Sequence, residues 1–317
     1  MNEHQDSPLV AIVGPTASGK STLGTWLAQQ LGGDVVACDS TQLYRGFDVG
    51  TAKPAVEERG GVAHHLIDVL DATEEVTAGN YREWAVEVLG KLRASKRLPI
   101  FTVGTGLYLR ALLEGLAEMP VRSEPLRQKL RERAAKRGPG HLHKVLRRLD
   151  AAAAKKIAAA DEQKLIRAVE VCLLTRKPLT EVYQSGRKPL QGWRAIKIGL
   201  APGKKALIER VNARTDEMLA RGWLDEVRRL LKNGLAAEAK PFDFIGYREL
   251  RLVLEDKLTL EEARMAIQQA TRQYAKRQMT WFRRETGVCW LEGLGDHPPI
   301  QQAALRRVQE QLGAAVP

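Results

Sequence analysis

The sequence predicts an α/β fold: a P-loop NTPase-like parallel sheet core flanked by helices, with an inserted all-helical basic domain. Three observations predict it. A glycine-rich cradle, "VAIVGPTASGKST" over residues 10–22, follows a β-favouring run and opens a helical stretch. Apolar runs closed by glycine or polar turns recur at "DVVACDS" (34–40) and "LPIFTVGTG" (98–106), with helical stretches between, the spacing of parallel βαβ units joined by right-handed crossovers. Between Arg122 and Lys188 the chain reads as helix after helix and carries 18 Lys and Arg against 7 Asp and Glu, nearly all of the net charge of +12.

In chain order, Leu9–Val13 is the first strand, and "STLGTWLAQQLG" the helix behind the cradle. The run 34–40 is the second strand, "NYREWAVEVLGKLRAS" the next helix, and 98–106 the third strand. The insert holds four helical stretches, "EPLRQKLRERAAKRG", "HLHKVLRRLD", "AAAAKKIAAAD" and "EQKLIRAVEVCLLT", punctuated by Gly138, Pro139, Gly140 and Asp161. "WRAIKIGLAP" (193–202) then supplies the last strand, so the sheet is split in sequence. Helices return in "KKALIERVNARTDEMLARGWLDEVRRLLKNG" and "TLEEARMAIQQATRQYAKRQMTWFRRE". The expected domains are 1–120, the first part of the P-loop core; 121–188, the helical insert; and 189–317, the core completion with its C-terminal helices.

With 317 residues the chain can bury a real core, and its positive balance favours an anionic partner, nucleic acid or a phosphorylated substrate. Cys38, Cys172 and Cys289 are far apart and form no CxxC pair, which argues against a disulfide framework or a zinc site and for a reducing compartment. "MNEHQDSPLV" lacks a basic segment followed by a long apolar run, and no stretch approaches the roughly 18 apolar residues that span a bilayer. The chain is read as a cytoplasmic monomer.

Gly14, Gly19, Lys20 and Ser21 satisfy G-x-x-x-x-G-K-[ST]. The backbone N–H groups of such a loop and the N-terminus of the following helix face an anion, Lys20 neutralises it, and the Ser21 hydroxyl can reach a bound Mg²⁺. An ordinary P-loop NTPase adds a strand-end Asp for the metal, and neither "LPIFTVGTG" nor "RAIKIGLAP" supplies one. The one strand-end carboxylate is Asp39, on the strand after the cradle helix, where it can face an acceptor. Taken alone, it reads as a turn cap. Thr105, between two glycines on the next strand's end, can converge with it on one pocket. These residues by themselves leave three readings open: a group transferase, a nucleotide or small-metabolite kinase in which Asp39 takes a hydroxyl proton and the insert is a lid, and a non-catalytic RNA-binding protein with a vestigial cradle.

Eight stretches in order, "GPTASGKS", "DSTQLYRGFDVGTAKP", "HHLID", "VGTGLY", "LIRAVEV", "RTDEML", "IGYREL" and "TRQYAKRQMTWFRR", resemble the tRNA dimethylallyltransferases (tRNA isopentenyltransferases). The resemblance implies transfer of an allyl group from dimethylallyl diphosphate to the exocyclic amine of adenine 37, in the anticodon stem-loop of tRNA. On this resemblance Gly14, Pro15, Thr16, Ala17, Ser18, Gly19, Lys20 and Ser21 hold the diphosphate, with Mg²⁺ on Ser21. Asp39 accepts the amine proton, Thr105 sits beside the bridging oxygen, and Arg214 stabilises the leaving charge. Without the family match, Arg214 reads as one of a solvated helix face with Arg210, Glu217 and Arg221.

The tRNA contacts the resemblance implies are Asp39, Ser40, Thr41 and Gln42; Thr105; Gln163, Lys164, Leu165, Ile166 and Arg167; and Asp243, Phe244, Ile245, Gly246, Tyr247 and Arg248. Arg127 in the insert joins them. On the last long helix Arg272, Lys276 and Arg283 share one face, opposite a core stripe of Ile267, Ala270, Tyr274 and Trp281. His64 and His65 lack companions at metal-ligand spacing and read as structural. The chain departs from the family pattern at Val103, which stands where glycine is usual, at Arg176 and at Lys164. None of these removes a group with a chemical role.

Overall fold

The computed structural model describes residues 6–117, 119–184 and 186–313. They divide into two compact units: residues 114–190 form one, and the chain on either side forms the other.

The larger unit is built on a six-stranded, wholly parallel sheet of β1 (Ser7–Val13), β2 (Gly33–Cys38), β3 (His64–His65), β4 (Leu98–Val103), β5 (Trp193–Leu200) and β6 (Val288–Leu291). The order across the sheet is β3-β2-β4-β1-β5-β6. The sequence reading ends the sheet at 193–202, and the structure corrects this. The short edge strands β3 and β6 add to it, too brief to show an alternating or apolar signature. Central strands β1, β2 and β4 are apolar runs because helices cover both sheet faces. On one face Val10, Ile12, Val35, Ile100 and Ile198 pack with Leu23 and Leu27 of α1 (Lys20–Leu31) and with Ala304 and Val308 of the C-terminal helix (Pro298–Gly313).

The crossover helix α2 (Ala78–Ala94) starts at a capping box of Thr77 with Asn80. Beyond β4, α3 (Gly106–Glu114) begins at the Thr105 turn. In the smaller unit α4 (Glu124–Arg137), α5 (His141–Leu149), α6 (Ala151–Lys156), α7 (Glu162–Thr175) and α8 (Leu179–Gln184) enclose Leu130, Leu142, Leu146, Leu165, Ile166 and Val169. The predicted helix over 151–161 stops at Lys156. After β5 the chain forms α9 (Lys204–Ala220), α10 (Trp223–Lys232), α11 (Tyr247–Leu254) and α12 (Leu260–Phe282). Gly222, at φ 88°, breaks the single helical run read from 204–234 into α9 and α10.

Asp34 sits at the start of β2. Burial alone would raise its carboxyl, but hydrogen bonds from His65 (3.0 Å) and Arg97 (2.9 Å) outweigh that and hold it below the usual range. His64 bonds the Val62 carbonyl, so each of the two histidines has a partner within the fold. Among the described residues no three His, Cys, Asp or Glu side chains gather as a metal cluster, and no helix is long and apolar enough to cross a membrane.

Candidate active site

Strands β1, β4 and β2 are neighbours, so their carboxyl ends deliver three loops to one rim. The cradle follows β1. Gly19 caps α1 in the left-handed region, φ 86°, and a Cβ there would meet the Gly295 amide at 2.8 Å, so only glycine fits. Lys20 folds back over the loop, its Nζ donating to the carbonyls of Gly14 (2.9 Å) and Pro15 (2.7 Å). The Ser18 hydroxyl is buried with no hydrogen-bond partner among the described residues, a donor left unspent inside the cradle.

Register explains the second and third loops. Cys38 pairs with Val103, and the Cys38 carbonyl then accepts from the amides of both Gly104 (3.0 Å) and Thr105 (2.9 Å). Asp39 is thereby set opposite Gly104. Its Oδ1 accepts from the Thr41 amide (2.9 Å) and hydroxyl (2.7 Å), the turn-capping arrangement read from sequence, while Oδ2 lies against Gly104. The Thr105 hydroxyl accepts from the Ser40 amide at 3.0 Å and lies 3.2 Å from the Ser40 hydroxyl. It is thus engaged with Ser40 in the turn that carries Asp39.

A cavity of about 1010 Å³ opens at this rim, lined by the cradle from Thr16 to Thr22, Asp39, Gly104, and from α9 Arg210, Arg214 and Met218. A second, about 350 Å³, shares Thr16, Ala17, Asp39 and Arg214 and adds Trp223, Phe244, Ile245, Ile267 and Tyr274. Asp39 therefore stands where a chamber that holds Lys20, Arg210 and Arg214 beside several carboxylates meets one with an aromatic and aliphatic wall. Burial, reinforced by Arg214 and opposed by Asp39, lowers the Lys20 amine to about 7. Arg214 is likewise lowered, by burial and then by Arg210, against the pull of Asp39. For both cations burial is the main cause, only partly offset by nearby carboxylates. Arg210 already pairs with Asp296 at 2.7 Å.

The other expected contacts separate into accessible and buried groups. Asp243, Arg248, Gln163, Lys164, Lys276 and Arg283 are exposed, and Phe244 and Ile245 line the smaller cavity. Leu165 and Ile166 face inward into the core of the helical unit, which corrects their assignment as RNA-contacting side chains: on α7 they share a buried stripe with Ala168, Val169 and Cys172. Tyr247 is also buried, donating to Glu226 at 2.6 Å and accepting from the Gly50 amide. Gly246 is buried beside the Trp223 ring, and Gln42 donates inward to the Thr51 and Ala52 carbonyls. Arg127 leans on the fully buried Glu170 at 3.9 Å, and Arg167 bonds Glu170 at 2.7 Å. Arg272 is spent on Asn212 of α9 (2.8 Å).

The expected core stripe of α12 shifts as well. Ile267 is buried, with Ala263, Ala275, Gln278 and Phe282, whereas Tyr274 turns to the site and donates to the Gly104 carbonyl at 3.2 Å. Burial and the Asp39 carboxylate push the Tyr274 phenol up. Gln278 was not anticipated, although a glutamine on the apolar stripe three residues after Ala275 and four before Phe282 is a sequence signal for a satisfied buried amide.

The IPP transferase family model matches residues 42–285. The tRNA dimethylallyltransferase of Solibacter usitatus (strain Ellin6076) is 49% identical over 306 residues, 96% of this chain and 99% of the relative. That of Koribacter versatilis (strain Ellin345) is 50% identical over 304 residues, with the same coverage. Among solved structures, the tRNA isopentenylpyrophosphate transferase of Bacillus halodurans superposes with a TM-score of 0.72 at 33% identity, covering 98% of both chains. A eukaryotic dimethylallyltransferase acting on tRNA gives a TM-score of 0.82 at 25% identity, covering 98% of this chain and 80% of the other. By these matches, which run almost from end to end, the chain belongs to the tRNA dimethylallyltransferase family.

Proposed function

We propose that the protein transfers a dimethylallyl group from dimethylallyl diphosphate to the exocyclic amine of adenine 37 of tRNA, in the anticodon stem-loop. The observation that carries this reading is the position of Asp39 at the junction of the two cavities, with Lys20 and the body of the cradle on one side, the aromatic wall on the other, and Arg214 lining both. The diphosphate lies in the cradle and the adenine reaches Asp39 from the smaller chamber. The amine nitrogen attacks the allylic carbon, the carbon–oxygen bond to diphosphate breaks, and its electron pair leaves on the diphosphate. Asp39 takes the proton that the new secondary amine sheds. Lys20 and Arg214 meet the growing negative charge, where buried cations act most strongly. Thr105, through Ser40, keeps the Asp39 turn in place.

The cradle also fits a hard cation. Mg²⁺ takes oxygen ligands, keeps several waters, and is commonly shared between a protein hydroxyl or carboxylate and substrate phosphates. The exposed Ser21 hydroxyl on the cavity wall is such a ligand, and the unspent Ser18 donor suits a phosphate oxygen beside it. When bound, the ion would add to the charge that stabilises the departing diphosphate.

Incubation with unmodified tRNA, Mg²⁺ and either labelled dimethylallyl diphosphate or γ-labelled ATP tests the reading. Label from the first is expected in tRNA. Phosphate transferred from the second would replace it with a kinase.

A further inference from the structure

Gln278 reaches from α12 between two loops that carry different parts of the site. Its Oε1 accepts from the Thr16 amide at 2.7 Å and its Nε2 donates to the Gly104 carbonyl at 2.8 Å. The side chain is 6% exposed, and the two partners fix which end of the amide carries oxygen. Neither bond is needed for α12 to fold, because its own backbone ladder and its Thr259–Glu262 capping box hold that helix.

Each partner is a sensitive point. Thr16 precedes Ala17, which adopts φ 62°, a left-handed conformation that costs a residue with a Cβ and persists only where its surroundings impose it. Gly104 is the residue pressed against Asp39 Oδ2. The Gln278 amide thus holds the bend of the cradle at one end and the backing of the Asp39 carboxylate at the other. Tyr274 shares the Gly104 carbonyl as a second donor.

We propose that Gln278 is a positioning residue that sets the spacing between the diphosphate cradle and the Asp39 carboxylate, and so the distance over which the amine attacks the allylic carbon. The inference rests on the reading above. A gap of reacting atoms wrong by about 1 Å can cost on the order of 100-fold in rate without weakening binding. The Gln278 contribution therefore falls on the rate at saturation and not on affinity.

Gln278→Met keeps the length and apolar stem but removes both bonds. Gln268→Met, at a buried glutamine on the same helix that bonds Asn212 and Asp216 of α9, removes a comparable buried amide that touches neither Thr16 nor Gly104. Single-turnover transfer from labelled dimethylallyl diphosphate at saturating tRNA, equilibrium binding of tRNA and of inorganic pyrophosphate, and Tm are measured for wild type and both variants. The expected result is a 10- to 100-fold slower transfer for Gln278→Met with both affinities within threefold of wild type, and an unchanged rate for Gln268→Met whatever its Tm. Equal rates for the two variants, or a Gln278→Met defect confined to binding, would overturn the assignment. If Gln278→Met does not fold, Gln278→Glu, which keeps the bond from Thr16 and loses the donation to Gly104, is read by the same criteria. A wild-type protein that moves no label would sink the functional reading itself, whereas an active wild type beside an unaffected Gln278 variant removes only this inference.

Discussion

The carboxylate of Asp39 occupies the space in which a side chain at Gly104 would begin: a Cβ there would lie 1.9 Å from Oδ2. The contact is fixed on both sides, by the Cys38–Val103 register beneath it and by Thr41 capping the other carboxylate oxygen. Gly104→Ala must therefore displace the carboxylate. Transfer is expected to fall at least 100-fold while tRNA binding is kept, since a misdirected base loses most of its effect. Single-turnover assays beside tRNA titrations check this, and a variant as fast as wild type would mean that Asp39 works from another position.

Asp39→Asn keeps the shape of the turn and removes the proton acceptor. A positioned base contributes about 10²- to 10⁴-fold, roughly 3 to 5 kcal/mol of barrier. The expected result is a loss in that range at saturating tRNA and dimethylallyl diphosphate, with pyrophosphate affinity unchanged or improved. A loss under threefold would remove Asp39 from the chemistry.

Lys20 offers a pH signature. The amine sheds its proton near pH 7 in the folded apo protein and near 10.5 in the unfolded chain. Between those values the unfolded state binds more protons, so this group makes stability rise with pH. A bound diphosphate reverses the local balance by restoring the cation. Above pH 7 binding should then draw a proton onto Lys20. Calorimetry of pyrophosphate binding in buffers of different ionisation enthalpy measures the uptake, and Lys20→Arg, charged throughout, should lack it. The same uptake in both proteins would assign the proton to another group.

What the sequence disclosed and what it withheld have one physical origin. The cradle, Asp39 and Thr105 were legible because strand-end loops in a parallel sheet announce themselves locally, through an apolar run closed by glycine or a polar turn. Their convergence followed from the strand order. Gln278 and Tyr274 were not legible as site residues, because their partners Thr16 and Gly104 lie far away in the chain and only tertiary packing brings α12 across them. Leu165, Ile166 and Tyr247 show the opposite error: a motif marks a segment, while burial decides which of its side chains face outward. The strands β3 and β6 were too short for any periodicity to emerge.

Arg127 and Lys164 part company for the same reason. Arg127 flanks Glu170, a fully buried carboxylate that also accepts from the Ser123 amide and from Arg167. Arg127→Ala should destabilise the helical unit by about 1–2 kcal/mol, since a buried charge loses one of its partners. Lys164, exposed and paired with Asp161 at the start of α7, should cost nothing measurable on replacement by Ala. Thermal or urea unfolding of both variants distinguishes them, and equal stability of the two would show that Glu170 needs no help from Arg127.

The phosphate grip of the helical unit should then lie in its exposed cations. Arg147 and Arg148 of α5 are exposed, on a unit that carries most of the protein's excess charge. If each neutralises a tRNA phosphate, replacing both by Ala should weaken tRNA binding and flatten its log–log salt dependence by about one unit per contact, somewhat less for unpaired RNA. Pyrophosphate binding should be untouched, because the cradle is built by the other unit. Titrations of tRNA across a salt series, for wild type and the double variant, read the slope directly. An unchanged slope would assign these two arginines to the solvent. The same result for Lys144, Lys155 and Lys156 would extend that assignment to the exposed lysines of α5 and α6.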